Sequence, residues 1–211
     1  SAGDVLISRT GARLADLPPG AVVGTSSLRR AAQIRHQRPD LTVIPIRGNL
    51  DTRLKKLDAG EVDATVLAAA GVRRLGMEAR ITEHLDEETM LPAVGQGALC
   101  VEIRRDDPEI GPLAAALDHA DSRLAVTAER AFLHRLEGSC QVPVAGRARI
   151  NGDTLTLTGL VAELDGSTVF KDIETGPADT AEALGRRLAD RLIERGAGDV
   201  LARLKASAHD I

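Results

Sequence analysis

A chain of 211 residues, 43% hydrophobic and 27% charged, is long enough for one or two globular cores. A net charge of −4, two Phe and no Trp or Tyr argue against a nucleic-acid binder that relies on bulk positive charge and aromatic stacking. No apolar run approaches the ~18 residues of a membrane span, no secretory signal is visible, and two widely spaced cysteines make no disulfide framework, so a reducing cytoplasm is the expected location.

In chain order, residues 21–23 form a short apolar strand that ends at Gly24. Thr25, Ser26 and Ser27 follow, and their hydroxyls suit the N-cap of a helix over residues 28–37, which Pro39-Asp40 ends. A second strand spans residues 41–46 and runs into Arg47-Gly48; Asn49 caps a helix over 50–57 that stops at Gly60; a third strand covers 64–68, and Gly71 leads into another helical stretch. Apolar strands alternating with helices read as βαβ units on a mostly parallel sheet, whose ligands bind beyond the carboxyl ends of the strands.

Arginines gather at that edge. Arg29 and Arg30 lie one turn into the first helix, Arg47 follows strand two, Arg53 lies one turn into the next helix, and Arg74 follows strand three. Between Arg29 and Arg80 there are 11 Lys+Arg against 6 Asp+Glu, a basic half in an acidic protein. With helix N-termini at the same edge, they describe a receptor for an anion bearing several carboxylates or phosphates. The alternative is a set of solvated surface arginines. Arg35, Arg38, Lys55, Lys56 and Arg80 read as ordinary surface charge.

Residues 91–97, with Pro92, Gly95 and Gly97, read as a hinge or crossover. Residues 97–103 read as a buried strand with Cys100 in the core, and 107–117 as a helix. A helix over 121–136 follows and stops at Gly138, a residue suited to a C-cap. Strands near 144–150, 154–162 and 167–173 come next, with Asn151-Gly152 and Asp165-Gly166 as hairpin turns. Helices over 179–194 and 199–204 close the chain, and Leu184, Leu188 and Leu192 form a core-facing stripe. Cys140 falls on a short loop between helix and sheet. It is either a packed loop cysteine or a thiol placed where a ligand can reach it. The five histidines are scattered without metal-ligand spacing, and the glycines form neither a Walker A loop nor GxGxxG. His134, six residues before Cys140, permits a Cys–His dyad but would leave the arginines unexplained.

The stretch Leu136-Glu137-Gly138-Ser139-Cys140-Gln141-Val142-Pro143, read with Leu124-Ala125-Val126-Thr127-Ala128-Glu129-Arg130-Ala131, resembles the cofactor-attachment region of the porphobilinogen deaminase (hydroxymethylbilane synthase) family. Gly24-Thr25-Ser26-Ser27-Leu28-Arg29-Arg30 and Leu91-Pro92-Ala93-Val94-Gly95-Gln96-Gly97 resemble two further motifs of that family, and the likeness runs from about Asp4 to about Leu204. It implies a periplasmic-binding-protein-like α/β domain at residues 4–97, a remnant of another domain at 98–118, and a C-terminal α+β domain with a three-stranded antiparallel sheet at 119–211.

The resemblance also implies an activity: condensation of four porphobilinogen molecules into the linear tetrapyrrole hydroxymethylbilane, with release of ammonia. Growth would occur on a dipyrromethane cofactor held through Cys140. Thr25, Ser27, Arg29, Arg30 and Arg53 would bind the cofactor, and Arg47, Arg53, Arg74 and Gln96 the substrate or growing chain. The family's catalytic aspartate belongs to a region ahead of Asp4; Asp51 and Asp63 read as cap or surface residues. The expected state of the complete protein is a monomer, without nucleic acid, metal or membrane. The arginine edge by itself also suits a non-catalytic polycarboxylate-binding module.

Overall fold

A computed structural model describes residues 2–137 and 142–209. The first sheet grows from short apolar runs. Strands β1 (Asp4–Ser8), β2 (Val22–Gly24), β3 (Thr42–Ile44), β4 (Ala64–Ala68) and β5 (Glu83–His84) lie in the order β3-β2-β4-β1-β5. Helices α1 (Leu28–Gln37), α2 (Leu50–Asp58) and α3 (Ala69–Arg74) fill the connections. β2 pairs in parallel with both β3 and β4, as the βαβ pattern requires. β1, not read from the sequence, runs antiparallel to β4 and β5, so the sheet is mixed. Its side chains alternate between two cores. Leu6 joins Val23, Ile34, Val66 and Met90 on one face; Val5 and Ile7 join Leu54, Leu57, Leu67 and Val72 on the other. A strand covered on both faces is apolar at successive positions, and period-2 alternation is lost to view. β3 is shorter than residues 41–46 because Pro45 has no N–H to give a ladder.

The second unit is built on a three-stranded antiparallel sheet, β6 (Val144–Asn151), β7 (Thr154–Ala162) and β8 (Val169–Pro177). The short α4 (Ile110–Ala115) and then α5 (Ala120–Arg135) precede it; α6 (Ala181–Leu192) and α7 (Gly198–His209) follow. Phe132 of α5 and Leu184, Leu188 and Leu192 of α6 pack with Leu155 and Leu157 in a fully buried core. The two helices approach so closely that a Cβ on Gly185 would overlap the Ala128 carbonyl oxygen. The break expected between the last two helices falls at Gly196, whose φ is 112°. Among the described residues no helix is long and apolar enough to cross a membrane.

The units meet over α1. The turn joining β7 and β8 lies on its last turn: the Arg35 guanidinium donates to the Leu164 carbonyl (2.7 Å), and His36 Nδ1 is 2.9 Å from the Gly166 carbonyl. A Cβ on Gly166 would lie 2.6 Å from the His36 nitrogen. Exposed pairs Arg149–Glu87 and Lys171–Glu88, both 2.8 Å, brace the same side.

One expectation fails outright. Residues 97–103 form no strand, Cys100 is exposed, and Leu99 and Val101 are 91% and 59% exposed. An apolar run becomes a buried strand only against a neighbouring strand, and neither the edges of this sheet at β3 and β5 nor any other described strand pairs with it. The helix expected over 107–117 shrinks to α4, with Leu113 and Leu117 exposed.

Candidate functional site at the carboxyl edge of the sheet

The parallel strands β2, β3 and β4 all end at one edge, and the loops leaving it are held by their own hydroxyls. Thr25 extends the ladder, its N–H donating to the Ile44 carbonyl (2.9 Å), and its buried Oγ1 accepts from Ser27 N–H (3.2 Å). Ser26 Oγ donates to the Ile46 carbonyl (2.8 Å), which ties this loop to the one after β3. Ser27 caps α1 by accepting from Arg30 N–H (3.4 Å), and Asn49 caps α2 by accepting from Thr52 N–H (2.9 Å). Both caps fall where the sequence puts them, and both helix N-termini therefore face the same edge.

Arg29 and Arg30 leave the first turn of α1 and are buried. Arg29 Nη1 donates to the Leu91 carbonyl (2.6 Å) and lies 2.8 Å from Asp4 Oδ2; its Nη2 donates to Gln96 Oε1 (3.3 Å). Arg30 reaches Asp4 Oδ1 through Nη2 (2.7 Å) and Nε (3.2 Å), while its Nη1 donates to the Val66 carbonyl (3.1 Å). Gln96 Nε2 donates to Asp4 Oδ1 (3.0 Å) and to the Ala2 carbonyl (2.6 Å). Burial lowers the Arg29 pKa and the neighbouring Arg30 lowers it further, while Asp4 pulls the other way. One buried carboxylate thus faces two buried guanidiniums, leaving an excess of positive charge.

Arg53 adds to that excess. It is half-buried, its Nε donates to the Gly48 carbonyl (3.0 Å), and no carboxylate stands against it among the described residues. Burial lowers its pKa, and Arg30 lowers it further, which places the two guanidiniums in one field. Arg47 is exposed just beyond Ile46, and Arg74 is exposed at the last position of α3, a helix that starts from the same edge. The structure therefore links Arg29, Arg30 and Gln96 through Asp4, with Arg53 in the field of Arg30 and Thr25 and Ser27 in the turn that opens α1. Arg47 and Arg74 are exposed and share no bond with that group among the described residues. Cys140 lies outside the described residues, and so does any contact it makes with His134. The described residues that flank it along the chain, Leu136 and Val142, are both buried in the second unit's core.

Arg38 and Arg35 are not ordinary surface charge. Arg38 donates to the carbonyls of Leu14 (2.6 Å), Ala15 (2.9 Å) and Leu17 (2.7 Å) and also pairs with Asp40. It fixes the loop before β2, as Arg35 fixes the turn after β7. Lys55 and Arg80 do sit in exposed pairs with Asp51 and Asp58.

Glu129 went unread in the sequence. It sits on α5 and is 1% exposed. Its carboxylate accepts from Gly95 N–H (2.6 Å) and Ala148 N–H (2.8 Å), joining the 91–97 link to β6 beside a groove of about 380 Å³. The signal was a charged residue on the apolar stripe Ala125, Ala128, Phe132, Leu136. Burial raises its pKa, and the two N–H donors only partly offset this. A raised folded-state pKa means that folding is favoured most below the ordinary glutamate range, near about pH 4.3, and that this contribution fades as pH rises through the folded value. Glu129→Gln keeps one acceptor and does not titrate. The stability gap between wild type and Glu129→Gln, from urea unfolding, should therefore narrow with rising pH. A gap that widens would show that the N–H bonds outweigh burial.

Residues 1–111 match the family profile described as porphobilinogen deaminase, dipyromethane cofactor binding domain, and residues 123–194 match porphobilinogen deaminase, C-terminal domain. The chain is 57% identical to the porphobilinogen deaminase of Desulforudis audaxviator (strain MP104C) over 206 residues, which is 98% of this chain and 67% of that one. It is 50% identical to the porphobilinogen deaminase of Pelobacter propionicus over 198 residues (94% and 64%) and 52% identical to that of Chromobacterium violaceum over 203 residues (96% and 66%). The chain thus spans about two thirds of the length of these curated relatives.

Proposed function

The chain belongs to the porphobilinogen deaminase family, and from that premise we propose that it serves hydroxymethylbilane synthesis, the head-to-tail condensation of four porphobilinogen molecules with release of ammonia. The single observation that carries this reading is Arg53, a half-buried guanidinium without a carboxylate partner among the described residues, set in the field of the buried Arg30 and its neighbour Arg29. A cation in that setting is stabilised when an external anion completes it. Porphobilinogen carries an acetate and a propionate on each ring, and a growing chain presents a row of such groups.

The same arrangement fits a dipyrromethane cofactor, whose carboxylates need fixed donors at one edge. Bound through Cys140, that group would supply the pyrrole carbon on which the chain grows. Thr25 and Ser27 hold the α1 N-terminus open toward the ligand, and Arg29, Arg30 and Arg53 neutralise its carboxylates. Arg47 and Arg74, exposed and without an acidic partner among the described residues, are assigned to substrate or growing chain, together with Gln96. A charged hydrogen bond contributes about 1.5–3 kcal/mol, so several hold a lengthening chain without making its release impossible. The reading also takes residues 4–97, 98–118 and 119–211 as separate units, the complete enzyme as a monomer, and the cytoplasm as its location.

The test is an affinity comparison with porphobilinogen as probe, by calorimetry. Arg53→Leu should weaken binding by about 10- to 150-fold, the loss of one charged hydrogen bond. Lys55→Ala, on the exposed side of α2, should leave it unchanged. Equal affinity for wild type and Arg53→Leu would overturn the assignment.

A further inference from the structure

We propose that Asp4 is a positioning residue of this arginine site, a role that deepens the reading above and rests on it. Asp4 opens β1, the strand whose direction decides the matter. Because β1 runs antiparallel to β4, Asp4 stands opposite Ala68, at the carboxyl edge where the loops of the site gather. A parallel β1 would have brought its last residue, Ser8, to that edge. Asp4 is 1% exposed. Its Oδ2 faces Arg29 alone, and its Oδ1 takes both Arg30 and Gln96.

Each guanidinium is consequently held at three points. Its stem leaves the capped first turn of α1, and its nitrogens meet a main-chain carbonyl (Leu91 for Arg29, Val66 for Arg30) and Asp4, through the shared Nη1 in Arg29 and through separate nitrogens in Arg30. Two adjacent cations without Asp4 would repel and swing apart, taking with them the field that Arg53 shares with Arg30. The carboxylate also lowers the net charge of the pair from two to one, so an incoming anion meets fixed, partly neutralised donors. Gln96 extends the same hub to the 91–97 link, so the link and the arginine helix share one anchor.

Porphobilinogen affinity and thermal midpoint are measured together for wild type, Asp4→Asn, Asp4→Glu and Gln96→Leu, with affinity read well below each midpoint. Asp4→Asn should bind at least about tenfold more weakly, because the charge that holds both guanidiniums is gone. Asp4→Glu should recover most of that loss, which simple loss of packing would not allow. Gln96→Leu keeps the Asp4 ion pairs and should lose about threefold in affinity with its midpoint retained. Folded Asp4→Asn with wild-type affinity overturns the proposal. Should Asp4→Asn fail to fold, unchanged affinity in Gln96→Leu overturns it instead. Binding that Arg53→Leu abolishes but Asp4→Asn preserves sinks this inference alone, whereas a wild-type chain that binds no porphobilinogen sinks the functional reading and this one with it.

Discussion

In a full-length chain, Cys140→Ser is expected to give a protein whose intact mass is that of the bare polypeptide, whereas Cys100→Ser keeps a covalent pyrrole adduct. The effect is all-or-none because a serine hydroxyl is not an adequate substitute for a thiolate at neutral pH. Cys100 is exposed, so burial gives no reason to exclude it. What separates the two cysteines is the fixity of their surroundings. Leu136 and Val142, the described residues that flank Cys140 along the chain, are both buried in one core. Cys100 lies in an exposed stretch with no strand beside it among the described residues. A primer must present its reacting carbon to the arginine edge in one orientation, and flanks held in a core lower the ordering cost of doing so. Peptide mapping that finds the adduct on Cys100 would overturn the assignment. Labelling of Cys140 by an acyl-enzyme trap would point to the Cys–His hydrolase alternative.

The parts of the fold that local chemistry dictates were legible. Ser27 and Asn49 cap the helices they were read to cap, and the hairpin turns at Gly152 and Gly166 fall at positive φ as Asn-Gly and Asp-Gly pairs suggest. What escaped reading depends on partners distant in sequence. β1 is five residues long, buried on both faces, and lacks a caps-and-helix context, so nothing nearby marks it or its direction. Asp4 therefore carries no signal in the sequence, although it balances two arginines 25 and 26 positions away. Arg38 looked like surface charge because its targets are carbonyls, and carbonyl acceptors carry no sequence signature. Residues 97–103 carry a strand pattern that is sound, but a pattern states what a segment can pair with and not whether a neighbour is there.

Residues 1–211 alone are expected to bind porphobilinogen and to release no ammonia from it. Breaking the aminomethyl C–N bond and forming the new C–C bond place positive charge on a pyrrole nitrogen, and a nearby carboxylate must stabilise it. Four of the described carboxylates are engaged or misplaced for that role. Asp4 is held by Arg29, Arg30 and Gln96. Asp51 pairs with Lys55 on the exposed side of α2. Asp63 accepts from Val22 N–H and pairs with Arg9, before the start of β4 and so at the edge opposite the arginines. Glu129 is held by Gly95 and Ala148. The family resemblance places the catalytic aspartate ahead of Asp4. Leu99, Val101, Leu113 and Leu117 are meanwhile exposed along 97–117, an apolar surface that favours association. The matching N-terminal third of a relative, added in cis or as a separate chain, should restore ammonia release and suppress concentration-dependent self-association measured by sedimentation. Steady-state tetrapyrrole formation by pure residues 1–211 would refute the prediction and return the catalytic acid to the carboxylates present, with Asp4 the first to be tested by its pH–rate profile.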